Sequence, residues 1–435
     1  MPRASLVVLA VIVLLLAPAI AGAQAPQGYV SLFGDYFPNR QDTTELRARI
    51  FVEQTFDPSP RVLINASAFA DGLLARRPGS VEGPDGNLQR VTAGIVRVHD
   101  LNLRYSNDRI DVLAGYARVV WGKLDEIQPT DVINPLDVSR FFFEGRAEAR
   151  LPVLLLRGQV HLSEDVTLEG IYLPDFRRGR FDQLKEESSP FNLPSTVPPD
   201  VVCLAVGCPA LPLPIDNREP AFTAANAQGG GRVSVTTGRV DWSVSAFRGF
   251  ESFGLYELDP FSAQPQLALV YPRYTMIGGD FEAVRGAWGL RGEVAAFVDD
   301  NFQSPDLAIV DGTSFDAGVG FDRKAGDYTI SGTVLFHSES YDRPLSESER
   351  GRGRNDVSLV ASTDRTFARE RYRLRGFGLY NASESSGFLR GIGIISLRDN
   401  LALEGSLGWF FGDGQDLAGR FRDSDFTYLR LKYYF

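Results

Sequence analysis

The sequence predicts an all-β transmembrane protein, an antiparallel β-barrel of about 18 strands, with 16 strands as the alternative count. Three observations support this fold class. Apolar and polar residues alternate at two-residue spacing in segments along the chain, as they do on barrel strands that have a lipid face and a water face. Short polar turns alternate with longer connections. The chain ends in an alternating segment that closes on an aromatic residue, Phe435.

The first 23 residues are typical of a secretory signal peptide and are set apart from the fold. Arg3 supplies the positive start, residues 6–16 the apolar run, and Ala21-Gly22-Ala23 a cleavage site of small residues. An uncleaved membrane anchor is the alternative, but the run is shorter than the roughly 20 residues that a spanning helix needs. The barrel domain is therefore expected at 24–435.

The composition argues against several classes of protein. The chain has 435 residues and a formal net charge of −10, so it lacks the basic excess expected of a nucleic-acid-binding protein. Its 30 Phe, 15 Tyr and 4 Trp are more aromatic surface than a disordered chain carries. We expect no nucleic-acid partner.

The individual strands are predicted from alternation. It is clearest in residues 240–246, 315–322, 328–337 and 401–411, where one face carries only apolar residues and glycine. Such a face contacts hydrocarbon without exposing a charge, and closure of the sheet satisfies the backbone polar groups inside lipid. The glycines fit strands that bend and approach their neighbours closely.

The connections predict the topology. Short turns are expected at 57–60, 106–109, 163–165, 237–238, 285–287, 323–326, 366–368 and 398–400. Longer connections are expected at 72–90, 121–150, 174–230, 251–272, 299–313, 339–355, 382–387 and 412–425. Short periplasmic turns and long extracellular loops are the usual asymmetry of such barrels. A first strand at 28–36 makes the strand count even.

The C-terminal segment carries a resemblance. Leu429, Leu431, Tyr433 and Phe435 share one face, opposite Arg430 and Lys432. This ending resembles the C-terminal signature of bacterial outer-membrane barrels, which implies recognition by the barrel assembly machinery. The expected partners are then that machinery, outer-membrane lipid and lipopolysaccharide, and the expected location is the outer membrane of a Gram-negative bacterium. An edge strand of a soluble sandwich is the alternative.

A row of basic residues is the first candidate for a pore lining. Arg369, Arg371, Arg373 and Arg375 stand at alternate positions, and each would cost roughly 2–4 kcal/mol if it faced lipid near the midplane. They are therefore expected to face the barrel interior. The same parity applies to four further residues, namely Arg47, Arg49, Arg430 and Lys432. They either guide anionic solutes or pair with carboxylates such as Glu45 to stiffen the wall, and both roles are compatible.

The connection 121–150 is a candidate constriction loop. Its acids include Asp125, Glu126, Asp131 and Asp137, and it contains the run Phe141-Phe142-Phe143. So apolar a stretch favours a loop that folds into the barrel and narrows it. A loop that caps the barrel from outside is the alternative.

The same region resembles a known family. The strings Ala114-Gly115-Tyr116-Ala117-Arg118-Val119-Val120-Trp121-Gly122 and Asp131-Val132-Ile133-Asn134-Pro135-Leu136-Asp137 are similar to a feature of uncharacterised proteobacterial outer-membrane porin-like proteins, related in style to alginate-export barrels. The match covers about thirty residues and the general barrel layout. It implies an outer-membrane channel, in some members linked to export or uptake of polysaccharides or hydrophobic compounds, and it specifies no substrate.

Other chemistries have weaker support. Cys203 and Cys208 lie in the Pro-rich connection 174–230 and are expected to form a disulfide, since no histidine lies near them to complete a metal site.

His99, His161 and His337 are the only histidines, and no serine motif accompanies them, so neither an enzyme nor a cofactor is expected. A plug-containing transporter is disfavoured because the first strand begins close to the predicted cleavage site.

These observations favour an outer-membrane channel that passes small or anionic solutes. The alternatives are a non-conducting barrel that acts as an adhesin, scaffold or assembly protein, and an export conduit for polysaccharide or hydrophobic compounds. The substrate, the direction of transport, the oligomeric state and a periplasmic transport partner are left open by the sequence.

Overall fold

The computed structural model describes residues 25–78, 88–192, 215–259, 266–304, 307–345, 353–413 and 416–435. Two predictions lie outside these residues: the signal peptide at 1–23 and the disulfide between Cys203 and Cys208.

The described chain consists mainly of strands. The first ten are β1 (Gln27–Phe37), β2 (Thr43–Ser59), β3 (Val62–Pro78), β4 (Leu88–Ser106), β5 (Ile110–Ala117), β6 (Val153–His161), β7 (Val166–Leu173), β8 (Ile215–Arg218), β9 (Gln228–Thr237) and β10 (Val240–Phe250). The remaining strands are β11 (Leu255–Asp259), β12 (Gln266–Val270), β13 (Arg273–Arg285), β14 (Trp288–Gln303), β15 (Ile309–Ala325), β16 (Tyr328–Tyr341), β17 (Gly353–Phe367), β18 (Tyr372–Asn381), β19 (Ser386–Arg398), β20 (Leu401–Phe411) and β21 (Phe426–Tyr434). The α-helices of the described residues are α1 (Val138–Glu144), α2 (Arg146–Ala149) and α3 (Leu417–Arg420). Among the described residues, no helix has the length and apolar character needed to cross a membrane.

Eighteen of the strands form one closed antiparallel sheet. Consecutive barrel strands pair along the chain, and β1 pairs with β21 to close the ring. Three short strands, β8, β11 and β12, form a separate small sheet in the long connections. The structure therefore confirms the predicted all-β transmembrane barrel and its count of 18 strands.

The outer wall alternates as a lipid-facing surface requires. Leu374, Leu407 and Leu429 are more than half exposed on the outside. Exposed aromatic side chains lie towards both strand ends, as in the two aromatic girdles of membrane barrels. Towards the end with long loops they include Tyr36, Tyr172, Phe315, Phe336, Tyr380 and Trp409. Towards the end with short turns they include Trp242, Phe281, Trp288, Phe321, Tyr328, Phe367, Tyr433 and Phe435. We call these the loop end and the turn end of the barrel.

Most predicted connections are found where the sequence placed them, with three corrections. All eight short turns are present in the described chain. The predicted connection 72–90 is wrong for much of its length, because β3 continues to Pro78 and β4 begins at Leu88. The predicted connection 299–313 is too long at both ends, because β14 continues to Gln303 and β15 begins at Ile309. The predicted turn at 366–368 is displaced, because β17 continues to Phe367 and the chain turns through three successive left-handed residues, Ala368, Arg369 and Glu370.

The barrel wall is uneven in height beside β4. Residues 88–100 of β4 pair with β3 on one side only, because pairing with β5 is confined to Leu101–Ser106. Strands β5, β6 and β7 have only eight or nine residues each. The chain leaves this low part of the wall after Ala117 and after Leu173, and both departures lead into the barrel interior.

Candidate channel interior

The first inward segment, residues 118–152, begins at the low wall. Asn134 holds its base together: its Oδ1 accepts from the Val119 N–H at 2.8 Å, and its Nδ2 donates to the Leu151 carbonyl at 2.8 Å. The Trp121 indole donates to Glu169 at 2.6 Å on the inner face of β7. The segment therefore starts and returns at one point of the wall.

A short helix lies at the centre of this segment. Asp137 caps α1 by accepting from the Arg140 N–H at 3.1 Å. Burial raises the pKa of Asp137, whereas Arg140 opposes the shift. Gly145 ends α1 with a φ of 90°, a conformation that favours glycine. The cap and the glycine set the two ends of α1, which contains the apolar run that the sequence singled out.

The helix residues Phe142 and Phe143 pack into an aromatic cluster inside the barrel. The Phe142 ring lies 4.9 Å from that of Phe410 and 5.0 Å from that of Phe388, between ring centroids. The other buried members of the aromatic cluster are Phe33, Phe37, Val138, Phe191, Phe421, Phe426 and Tyr428. This cluster fills the interior beside β1 and β19–β21.

Ion pairs also fix helix α1 to the strands on both sides of β1, namely β2, β3 and β21. The Glu144 carboxylate accepts from Arg49 at 3.1 Å and lies 3.5 Å from Arg430. Burial opposes ionisation of Glu144, but Arg49 and Arg430 outweigh it and hold its pKa well below the usual range. Arg140 reaches Asp71 on β3 at 3.4 Å. The helix is therefore held by charge as well as by aromatic packing.

The second inward segment, residues 174–192, was not anticipated from the sequence, which assigned it to one long loop. Asp182 accepts from Arg47 at 2.7 Å and lies 3.3 Å from Arg77. Arg77 has no solvent exposure and donates to Glu45 at 2.6 Å. Burial opposes ionisation of Asp182, but Arg47 and Arg77 lower its pKa. The sequence showed basic residues on the predicted strands and carboxylates in the predicted connection. It did not show which of them pair and thereby hold the segment inside the barrel.

The tip of the first segment reaches the far wall. Glu293 on β14 accepts from the backbone N–H groups of Lys123 and Leu124 and from the Thr130 hydroxyl at 3.0 Å. Asp125 lies 2.7 Å from Arg291 on the same strand. The segment thus crosses the interior from the β5–β6 wall to β14.

The four acids proposed for the constriction therefore differ in their surroundings. Asp125 faces the far wall, and burial raises the pKa of both Asp125 and Glu126. Asp131 pairs with Arg146 at 3.1 Å and with Arg150 at 2.7 Å, both within the segment itself. Asp137 caps α1. Only Asp125 and Glu126 lie at the tip.

The predicted arginine row is divided in the structure. Arg373 and Arg375 lie on β18, on the face opposite exposed Leu374, and both pair with Asp364 of β17, at 2.7 Å and 3.0 Å. The strand placement of Arg369 and Arg371 is wrong, because both lie in the turn between β17 and β18. No glycine, asparagine or proline marks this turn in the sequence.

The other predicted basic residues are engaged in the interior. Arg47 and Arg49 pair with carboxylates of the wall and of both inward segments. Arg430 also lies over the Phe33 ring at 4.8 Å. Lys432 lies over the Tyr29 ring at 3.8 Å, near the turn end of the β1–β21 pair that closes the barrel. Leu429, Leu431, Tyr433 and Phe435, proposed as the assembly signal, are all exposed on the outer face.

A cavity of about 600 Å³ lies between the first segment and the β2–β6 wall, on the turn side. Arg104 and Arg157 line it and share one carboxylate, Asp111, at 2.6 Å and 3.1 Å. Arg118 and Asp100, paired at 2.9 Å, also line it. Its polar lining includes Gln54, Asn65 and Asn102.

The histidines lie apart from one another. His337 contacts Asp316 at 2.7 Å and Glu339 at 2.9 Å, whereas the His99 ring packs against Phe51. His161 contacts Thr167 beside a short turn. Within the described ranges no group of three or more His, Cys, Asp and Glu is arranged to hold a metal ion.

Solved structures of bacterial barrels align along most of the chain. Pseudomonas aeruginosa OccK5 (OpdH) has a TM-score of 0.51 at 10% identity, with 95% of this chain and 98% of that chain covered. P. aeruginosa OccK7 (OpdD) has a TM-score of 0.49 at 9% identity, covering 96% and 99%. Acinetobacter baumannii OccAB3 has 0.47 at 10% identity, covering 94% and 99%. The likeness to OccK5 supports the barrel fold. No protein-family model and no curated protein matches the sequence.

Proposed function

We propose that the protein is an outer-membrane channel of a Gram-negative bacterium and that it passes small anionic solutes. The observation that carries the proposal is the pair Arg373 and Arg375, whose side chains are 45% and 48% exposed inside the barrel. They share a single carboxylate, Asp364. In direct ion pairs the two guanidinium groups have this one counter-charge, and Glu126 at the tip of the first inward segment is a more distant acid that interacts with Arg375. The excess of basic groups on this part of the wall attracts anions in a pore.

A second basic group supports the same direction of selectivity. Arg104, 48% exposed, and Arg157 share Asp111 at the cavity below the first inward segment. Acidic groups gather elsewhere, since Asp125, Glu282 and Asp322 all lie close to Arg291. Basic and acidic groups on different walls produce a transverse field across the interior.

The aromatic cluster is the observation that favours the alternative, a non-conducting barrel that serves as an adhesin or scaffold. It fills the interior beside β1 and β19–β21 and is reinforced by two inward segments. The export of polysaccharide or hydrophobic compounds has no specific feature of the described interior in its favour.

Conductance of the purified protein in planar bilayers distinguishes the two functions. We expect discrete conductance steps in KCl and, under a KCl gradient, a reversal potential that indicates preference for chloride. Protein that inserts without conductance in KCl or in larger anionic salts would support the non-conducting barrel instead.

The role of the arginine pair is tested with a matched control. Replacing Arg373 and Arg375 by Gln is expected to shift the reversal potential towards cation preference, because Asp364 is then uncompensated. Replacing Arg369 and Arg371 by Gln removes the same charge from the neighbouring turn and should have a much smaller effect. Equal shifts in both variants would show that the strand pair has no special role in selectivity.

A further inference from the structure

Two arginines lie side by side on the outer wall of the barrel. Arg76 on β3 is directly opposite Arg90 on β4, and both are exposed. They share a face with Leu74, which is 40% exposed on the outside, whereas the next residue, Arg77, points inwards and is completely buried. Alternation along β3 and β4 therefore places both guanidinium groups outside the barrel.

Their height follows from the strand register. Tyr36 pairs with Thr44, Thr44 with Arg76, and Arg76 with Arg90, so one row crosses β1 to β4. In the other direction the same row runs through β21, β20, β19 and β18 to Thr363, near the turn end of β17. The row therefore rises towards the loop end as it passes from β1 to β4.

The rise places the arginines beyond the hydrocarbon. With strands tilted by roughly 40° and about 4.8 Å apart, a row climbs about 3 Å per strand. Tyr36 belongs to the aromatic girdle of the loop end, so Arg76 and Arg90 lie roughly 6 to 9 Å above that girdle. This is the depth of lipid headgroups, which occupy roughly 5–8 Å on each side of the hydrocarbon.

The pair lacks a counter-charge on the described surface. In the parts of the chain that the structure describes, no carboxylate forms an ion pair with Arg76 or Arg90, whereas the adjacent Arg77 contacts both Glu45 and Asp182. Like charges directly opposite each other destabilise a strand pair. An anion between the two guanidinium groups removes this repulsion.

We propose that Arg76 and Arg90 bind the phosphate of a phosphorylated lipid headgroup in the leaflet at the loop end. Guanidinium groups present paired N–H donors that match phosphate oxygens, and such charge-assisted hydrogen bonds are strong. The exposed Thr44, next to Arg76 in the row, offers a hydroxyl donor. The row of β1 to β4 thus combines an aromatic ring at the hydrocarbon boundary with a phosphate site above it.

The experiment measures lipid retention by the full chain in detergent, with native mass spectrometry after addition of purified lipopolysaccharide. We expect Arg76→Gln combined with Arg90→Gln to lower the apparent affinity by roughly tenfold or more. The control, Arg285→Gln with Arg365→Gln, removes two exposed arginines near the turn end and should leave retention unchanged. A shift in gel migration between unheated and heated samples shows that both variants are folded.

Three results would overturn the assignment. An equal loss in the control would show that retention depends on net charge. Undiminished retention of lipopolysaccharide whose phosphates have been removed would show that phosphate is not recognised. Displacement of the lipid by inorganic phosphate at equal concentration would make the pair a site for free phosphate.

Discussion

At the residue scale, Glu144 is an electrostatic connection between the first inward segment and two strands of the barrel wall. Its carboxylate is largely buried between Arg49 and Arg430, which come from strands on either side of β1. Removing one partner of such a buried ion pair leaves the other charges without compensation, which costs more than the pair itself contributes.

We therefore expect Glu144→Gln to reduce the free energy of unfolding by about 3 kcal/mol. Urea titration of the protein in detergent, followed by tryptophan emission, measures the change. The matched control is Glu148→Gln, because Glu148 is an exposed carboxylate in the following helix α2. A similar loss in both variants would show that the ion pairs of Glu144 contribute nothing particular.

The lowered pKa of Glu144 predicts how this contribution depends on pH. A carboxyl group with a depressed folded-state pKa stabilises the fold above its unfolded pKa, about 4.3, and loses that effect as the pH falls towards the folded-state value. The stability difference between wild type and Glu144→Gln should therefore be constant from pH 7 to 5. It should shrink only in more acidic solution. Disappearance of the difference by pH 5 would contradict the proposed ionisation.

The arginine row shows how far residue-level prediction extends. Alternation was sufficient to place Arg373 and Arg375 inside the barrel, because the exposed Leu374 between them requires it. It failed for Arg369, because three residues other than glycine adopt left-handed backbone angles at this turn. Such angles are uncommon for these residue types, so the local sequence predicted a longer strand.

At the element scale, the aromatic cluster determines how firmly α1 is held in the interior. Phe142 is 3% exposed and its ring contacts those of Phe191, Phe388, Phe410 and Phe421. Replacing a buried phenylalanine by alanine typically costs about 3–5 kcal/mol and leaves a cavity.

We expect Phe142→Ala to destabilise the protein by that amount and to increase current noise or mean conductance, because α1 is no longer packed against the wall. Phe141→Ala is the comparison, since Phe141 is only partly buried and, among the described residues, its ring pairs with that of Phe142 alone. Bilayer recordings of both variants test this. Unchanged current in Phe142→Ala, with the expected loss of stability, would separate the cluster from the conducting path.

The unpaired side of β4 makes a prediction about backbone protection. About half of the amide groups in residues 88–98 point away from β3, where no described strand pairs with them. They should exchange with solvent faster than those of β16, which is paired on both sides along its length. Hydrogen exchange with mass spectrometry compares the two strands. Equal protection would show that another segment or molecule covers this side of β4.

Elements built from local pattern were more predictable than those built from distant contacts. Strand alternation and polar turns lie within about ten residues, so the strand count and the presence of eight short turns could be predicted, although the turn after β17 was displaced. The inward position of 174–192 depends on pairs such as Arg47 with Asp182, separated by 135 positions. No local pattern specifies such a pairing, and the sequence therefore showed only one long loop.

At the scale of the whole molecule, the average composition conceals two opposed surfaces. The outer wall exposes leucine, valine and aromatic side chains, whereas most charged groups lie inside or in the connections. The formal net charge of −10 is therefore a poor guide to the charge of the interior, because the exposed arginines Arg373 and Arg375 outnumber the carboxylate that they share. The proposed anion preference is consistent with this separation.

The four tryptophans provide a test of the barrel's position in the bilayer. Trp409, 55% exposed, lies towards the loop end, and Trp242 and Trp288 lie at the turn end, 41% and 42% exposed. Trp121 is 1% exposed and packs inside the barrel against Phe247. In single-tryptophan variants, with the other three replaced by Phe, lipids brominated near the headgroup should quench Trp242, Trp288 and Trp409 strongly. They should leave Trp121 nearly unaffected, since the wall separates it from lipid. Strong quenching of Trp121, or equally weak quenching of all four, would contradict the assignment of the outer face to hydrocarbon.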